Sequence, residues 1–256
     1  MTGTSTYTGA TVVSNGVLAL STGINGDASL LNTTNLTVAA GAVLDVSGRL
    51  DPTLYLNPSQ TLKGGGTIRG SVNAGSGGNV EPGPGIGTLT VTNIVTLGGT
   101  TTLEISRPNN DRIVAQQINY GGSLVVTNIG GKLQAGDTFQ LFTGAISGTF
   151  SSVSLATTDA TGATYTWEDD TATTGSIKVL TATGGVNTNP TNITTSVSGT
   201  NLTLAWPVDH TGWILQAQTN GLTGPWVTIP ASSSTNQLSV PIDPANQSVF
   251  YRLLLP

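Results

Sequence analysis

Along the first 180 positions, apolar and polar residues alternate in short bursts, each opened by a glycine or a turn. They read Gly16-Val17-Leu18-Ala19-Leu20, Gly41-Ala42-Val43-Leu44-Asp45-Val46, Gly66-Thr67-Ile68, Gly87-Thr88-Leu89-Thr90-Val91, Thr102-Leu103-Glu104-Ile105 and Gly122-Ser123-Leu124-Val125-Val126. A period of two puts the apolar residues of each burst on one face of a strand, and no 3.6-residue period persists beyond a single turn. Anchored on Leu18, Leu44, Ile68, Leu89, Leu103 and Leu124, the bursts recur at steps of 26, 24, 21, 14 and 21 residues. One such unit cannot bury its apolar face alone, so the pattern predicts stacked rungs of a β-solenoid.

The pattern changes after residue 180. Residues 181–190, Thr-Ala-Thr-Gly-Gly-Val-Asn-Thr-Asn-Pro, are small, uncharged and closed by a proline, which is the composition of a linker. The expected division is a solenoid over residues 1–183, a linker over 184–190 and a second domain over 191–256. In that second domain Ile193, Thr195 and Val197 alternate with polar neighbours, a Ser198-Gly199-Thr200-Asn201 turn follows, and Leu202, Leu204 and Trp206 resume the alternation. Further short strands are expected around Trp213, Trp226, Leu238 and Phe250, the spacing of a small antiparallel β-sandwich. The fold class is therefore all-β.

Composition narrows the function. Charged residues make up 8% of the chain, against roughly 25% in an average soluble domain. No basic run or stripe occurs among the 8 Lys and Arg residues, so no nucleic-acid partner is expected. Cysteine is absent, which removes disulfides and thiolate metal sites and fits an exported protein held by hydrogen-bonded ladders. No apolar run reaches the roughly 20 residues of a membrane span, so no membrane insertion is expected. The N-terminus has neither the basic nor the apolar region of a signal peptide, so export by a leader already removed or by another route is expected.

Candidate chemistry is sparse. His210, the sole histidine, lies in Pro207-Val208-Asp209-His210-Thr211-Gly212, and no Gly-x-Ser-x-Gly elbow accompanies it; a turn histidine is the expectation, not a triad member. Two groups of mixed charge, Asp45, Arg49 and Asp51, then Glu104, Arg107, Asp111 and Arg112, are the candidates for paired-carboxylate glycan chemistry. Turn charges and ion pairs account for them more simply. Glu168, Asp169 and Asp170 form the one acidic run, a weak candidate for Ca²⁺; otherwise no metal, cofactor or catalytic residue is expected. Trp206 and Trp213 fall in apolar phase and are expected in the core, leaving Trp226, after Gly224-Pro225, as the possible glycan contact. Sequons at Asn32, Asn35, Asn192, Asn201 and Asn246 are unsurprising in a chain this rich in Asn and Thr.

The stretch Tyr7-Thr8-Gly9-Ala10-Thr11-Val12-Val13-Ser14-Asn15-Gly16-Val17-Leu18-Ala19-Leu20 resembles the autotransporter-associated β-strand repeat of bacterial surface proteins. A second match runs from Glu81-Pro82-Gly83 through Ile86-Gly87-Thr88-Leu89, Leu103-Glu104-Ile105, Asp111-Arg112-Ile113 and Ala135-Gly136-Asp137-Thr138-Phe139 to Gly148-Thr149-Phe150. The resemblance implies a right-handed, passenger-type parallel solenoid, secreted and displayed at the cell surface. The C-terminal part looks like a fibronectin type III or immunoglobulin-like module, with Leu202-Thr203-Leu204-Ala205-Trp206 as the strand carrying the core tryptophan.

The expected function is structural: a subunit of an extracellular fibre, assembling head-to-tail with other copies of itself. The assembly residues are expected at Thr4, Thr6, Tyr7 and Thr8, an uncharged stretch free to add as a strand, and at Val249, Phe250 and Tyr251. A monomeric adhesin or carbohydrate-binding protein, with a surface polysaccharide as partner, is the alternative, and a polysaccharide lyase or hydrolase the third.

Overall fold

The computed structural model describes residues 1–24, 26–219, 221 and 224–256. Among these there is no α-helix, only two short 3₁₀ turns, Val208–His210 and Ser232–Ser234. The chain divides into two units, Met1–Asp159 with Tyr165–Ala182, and Ala160–Thr164 with Thr183–Pro256.

The first unit is a parallel β-solenoid. Thr11–Val13, Asn35–Val38, Thr61–Lys63, Asn79–Glu81, Thr100–Ser106, Ser123–Asn128 and Ser152–Ser154 stack in that order as one parallel sheet, which makes six full turns from first to last. A second face stacks Val17–Gly23, Val43–Gly48, Thr67–Arg69 and Thr88–Val91, and a third stacks Thr53–Tyr55, Ser71–Asn73 and Ile94–Leu97. The long strand Arg112–Tyr120 joins these two faces, pairing Thr88–Val91 with its first half and Ile94–Leu97 with its second.

Register explains the ragged repeat. On the first face Leu36, Leu62, Val80, Thr101, Leu124 and Val153 lie in one column, at steps of 26, 18, 21, 23 and 29 residues. Leu18, Leu44 and Ile68 share a column on the second face. Leu89 continues that face and pairs with Ile113, whereas Leu103 belongs to the first face and pairs with Val126. The 14-residue step is therefore a change of face, not a short rung. Leu36, Leu62, Val80, Leu44, Ile68, Leu89, Leu103 and Leu124 are fully buried, so each face contributes its inward row to one continuous core.

Glycine makes one corner. A Cβ on Gly99 would lie 1.9 Å from the Gly78 carbonyl oxygen, and one on Gly122 would lie 1.9 Å from that of Gly99. Successive rungs come together there at a distance that only glycine permits. Beyond the last turn, Thr138–Gln140, Ser176–Thr183 and Thr164–Asp170 form a small sheet. The Leu141 and Phe142 N–H groups donate to the Gly175 carbonyl, and the Tyr120 hydroxyl donates to the Thr171 carbonyl.

The second unit contains two three-stranded antiparallel sheets. One orders Thr194–Ser198, Asn201–Ala205 and Gln237–Pro241; the other orders Val227–Thr228, Ile214–Gln218 and Phe250–Leu254. Leu204, Trp206 and Leu215 form the buried centre, with Ile193, Leu202, Ile229, Leu238, Val240, Tyr251 and Leu253 packed around it and only partly buried.

Candidate functional site

A cleft lined by six polar side chains, four of them charged, lies on the solenoid. Parallel stacking sets Thr37 beside Lys63 and Lys63 beside Glu81, and Thr102 follows on the next rung. Next to this ladder the chain leaves the strand ending at Glu81 through Pro82, Gly83, Pro84 and Gly85 before Thr88–Val91 begins. Two prolines in four residues cannot continue a ladder, so this segment stands off the sheet. The cleft beside it has a volume of about 420 Å³, and Glu104 and Asp111 complete its wall.

Glu104 and Asp111 meet because the strand Thr100–Ser106 folds back antiparallel through Asn109–Asn110. The Asp111 N–H donates to the Glu104 carbonyl at 2.7 Å. Its carboxylate accepts from the Glu104 N–H at 2.8 Å and the Gly87 N–H at 2.7 Å. Asp111 is 2% exposed, and burial pushes its carboxyl up to about 6, against the two backbone hydrogen bonds and with the adjacent Glu104 charge adding to the rise. Glu104 Oε2 is buried and has no hydrogen-bond partner. Lys63 Nζ and Glu81 Oε2 pair across the ladder at 2.7 Å.

The other sequence candidates disperse. Arg107 pairs with Asp137 at 3.0 Å, and Arg112 donates to the Gln140 carbonyl at 3.2 Å, so only Glu104 and Asp111 of their group share a site. Asp45 pairs with Arg69 at 3.4 Å, Arg49 lies 3.8 Å from Asp27, and Asp51 accepts from the Tyr55 hydroxyl at 2.9 Å. Glu168 pairs with Lys178, and Asp169 accepts from the Thr171 N–H and hydroxyl. Glu168, Asp169 and Asp170 therefore do not converge, and among the described residues no three His, Cys, Asp or Glu side chains are grouped to hold a metal ion.

His210 lies in the short 3₁₀ turn Val208–His210 and is 3% exposed. Its Nδ1 lies 2.8 Å from Asp209 Oδ1, and its Nε2 lies 2.8 Å from the Asn189 carbonyl. With both ring nitrogens engaged, it is a buried strut. Trp206 and Trp213 are buried, as their phase predicts, at 3% and 8% exposure. Trp226 is half-buried, and the Arg252 guanidinium sits 4.3 Å from its ring centroid, so one face of the indole is already covered.

At the N-terminus, Thr4 of the expected adding residues Thr4, Thr6, Tyr7 and Thr8 is engaged within the chain itself. The Met1 ammonium donates to the Ala19 carbonyl at 2.9 Å, the Ser21 N–H donates to the Met1 carbonyl, and Thr4 bridges Ser29. On the second face the Ala19 carbonyl and the Ser21 N–H, at the open side of the strand Val17–Gly23, are thereby satisfied by the chain's own end. Thr6, Tyr7 and Thr8 are exposed and lie in no strand. At the other terminus Phe250 and Tyr251 are half-buried and belong to a strand paired on one side only, with Val249 just before it. Tyr251 lines two hollows of about 450 and 440 Å³.

The sequence gives no signal for the burial of Asp111 or for Lys63 meeting Glu81; the second needs the register. A scan of family models, a search of curated proteins and a search of solved structures each found no match. Among the described residues no helix is long and apolar enough to cross a membrane.

Proposed function

We propose that this chain is a structural, extracellular bacterial protein, a passenger-type solenoid that extends a surface fibre by head-to-tail contact between copies. One observation carries the reading. Among the described residues the first and last strands of the first-face sheet, Thr11–Val13 and Ser152–Ser154, each have a single strand partner, so both ends of the stack offer a strand edge to which another can add. A contact between unlike ends does not close on itself and propagates. Val12 is 62% and Val153 37% exposed, which gives each edge an apolar residue to bury.

The low charge and absence of cysteine support export, and the autotransporter-like motifs support display at the surface. The C-terminal unit is read as a fibronectin type III or immunoglobulin-like module on its two antiparallel sheets and central tryptophan.

The test is Val12→Pro. The Val13 carbonyl accepts from Ala39 N–H at 2.9 Å, and alternate residues of a parallel strand face opposite neighbours. Val12 therefore directs its N–H to the open side, and proline there removes a donor that the chain itself does not use. Filaments are expected from concentrated wild-type protein by electron microscopy, and monomers from the variant with unchanged circular dichroism. A wild type that stays monomeric by light scattering at high concentration refutes the proposal.

A further inference from the structure

The three faces of the solenoid differ in charge. Outward positions of the second face include the ion pair Asp45 and Arg69, and those of the first face include Lys63 and Glu81. The third face stacks Thr53–Tyr55, Ser71–Asn73, Ile94–Leu97, the second half of Arg112–Tyr120 and the end of the strand Phe142–Gly148. Its inward residues Leu54, Val72, Val95 and Ile118 are buried. The outward residues alternate with these, and from Thr53 on the first strand to Ser147 on the last none is charged. Asp51 stands at the margin, where its carboxylate accepts from the Tyr55 hydroxyl.

Register sets Tyr55, Asn73, Thr96, Asn119 and Ser147 in one outward column. Its members hold one another. Asn119 Nδ2 donates to Thr96 Oγ1 at 3.3 Å, and the Ser147 hydroxyl donates to Asn119 Oδ1 at 2.7 Å. Gln117, in the adjacent column, donates to the same Asn119 oxygen at 2.8 Å. Side chains that are already fixed lose little freedom on contact. Apolar surface is present too, since Tyr55 is 45% and Ile94 40% exposed.

We propose that the third face binds the third face of a second copy and so joins neighbouring fibres side by side. The inference rests on the fibre reading and adds a lateral contact to the end contact. Hydroxyl and amide groups both donate and accept, so this surface meets itself without an unmatched charge, as a self-complementary contact requires. The first and second faces would take charged pairs out of water in the same contact, at a cost. Size decides when the contact forms. Five strands at about 4.8 Å, each about three residues long at about 3.3 Å per residue, give roughly 200 Å² per copy, well below the roughly 800 Å² per partner of a stable interface. Two free copies therefore do not pair. A fibre repeats the face at a fixed interval, a second fibre repeats it at the same interval, and the small contacts add. A polysaccharide has its own repeat and does not share that interval, so a second copy is the better occupant.

The experiment is electron microscopy of the concentrated full chain and its variants. Asn73→Lys with Gln117→Lys places cations on the third face, two rungs apart and pointing away from the core. Val43→Lys with Thr90→Lys places the same charge on the second face, also two rungs apart. Wild-type filaments are expected in lateral bundles, the third-face variant in single filaments, and the second-face variant in bundles like the wild type. Single wild-type filaments, bundles of the third-face variant, or loss of bundles in the second-face variant overturns the lateral contact and leaves the end contact standing. No filaments at all overturns both. Pelleting of Val12→Pro monomers with insoluble cellulose, abolished by the third-face lysines, would assign the face to a polysaccharide and also overturns the proposal.

Discussion

Asp111 is the charge that this fold tolerates least, and its titration tests the cleft geometry directly. Its carboxyl rises from 3.8 to about 6 because it is buried. An acid with a folded value above its unfolded one takes up its proton first in the folded state. Between 3.8 and about 6 the folded chain then holds more protons than the unfolded chain, so stability falls as pH rises through this window and stays low above it. At about 1.36 kcal/mol per pH unit, that gap amounts to about 3 kcal/mol. Asp27, Asp45 and Asp51 shift the other way, held below 3.8 chiefly by hydrogen bonds from Thr22, Ser47 and Thr53. Their stabilisation is present above their unfolded values and is lost only at more acid pH, below the Asp111 window. The assay is urea unfolding of the wild type and Asp111→Asn in steps from about pH 4.5 to 7. Asparagine sets a donor where one of two backbone N–H groups donates, so the variant is weaker throughout, but it has no proton to exchange and its profile should flatten. Wild-type stability that is level or rises across the window, or the same slope in the variant, refutes the burial argument.

Two further outcomes test the packing. Gly122→Ala puts a Cβ 1.9 Å from the Gly99 oxygen at a φ of +37°, and should cost roughly 2–4 kcal/mol, a fall in Tm of roughly 5–15 °C for a unit of this size. Gly136→Ala, with a φ of +93° but nothing within 4 Å of the added atom, carries backbone strain alone at about 1 kcal/mol; equal losses in the two variants would show that the corner is not tight. Leu204→Ala, at a site 1% exposed, should cost roughly 2–5 kcal/mol of the second unit's stability by urea unfolding, and a loss below about 1 kcal/mol would refute its central place in that core.

The period of two was enough to read strands, inward residues and the stacking of rungs, because each depends only on local alternation. It was blind to which face a burst belongs to. Leu89 and Leu103 carry the same local pattern and lie on different faces, since the angle between faces is set at corners such as Gly98-Gly99, outside the alternation. A finer signal was present in Gln116-Gln117, two adjacent exposed residues at the point where register shifts between Val114 and Gln117. That break in alternation marks where one strand turns from the second face to the third. Glu104 and Asp111 were legible only as members of one mixed-charge group with Arg107 and Arg112; that the strand folds back through Asn109–Asn110 to join them was not. The burial of Asp111 was not, because it depends on the segment after Glu81 closing over it.

Register itself poses a physical problem in such a chain. Columns of Leu, Ile and Val are interchangeable, and aliphatic packing alone discriminates weakly against a slip that returns another apolar residue to the core. The few charges supply the discrimination. Asp45 and Arg69 are direct register partners on the second face, and Lys63 and Glu81 on the first, each pair joining adjacent rungs. As exposed pairs they add little stability, about 0–1 kcal/mol each. A two-residue slip, however, would set Asp45 against Thr67 or Ser71 and Lys63 against Asn79 or Gly83, so both pairs would be lost and their effect is on the choice among registers more than on the depth of the chosen one.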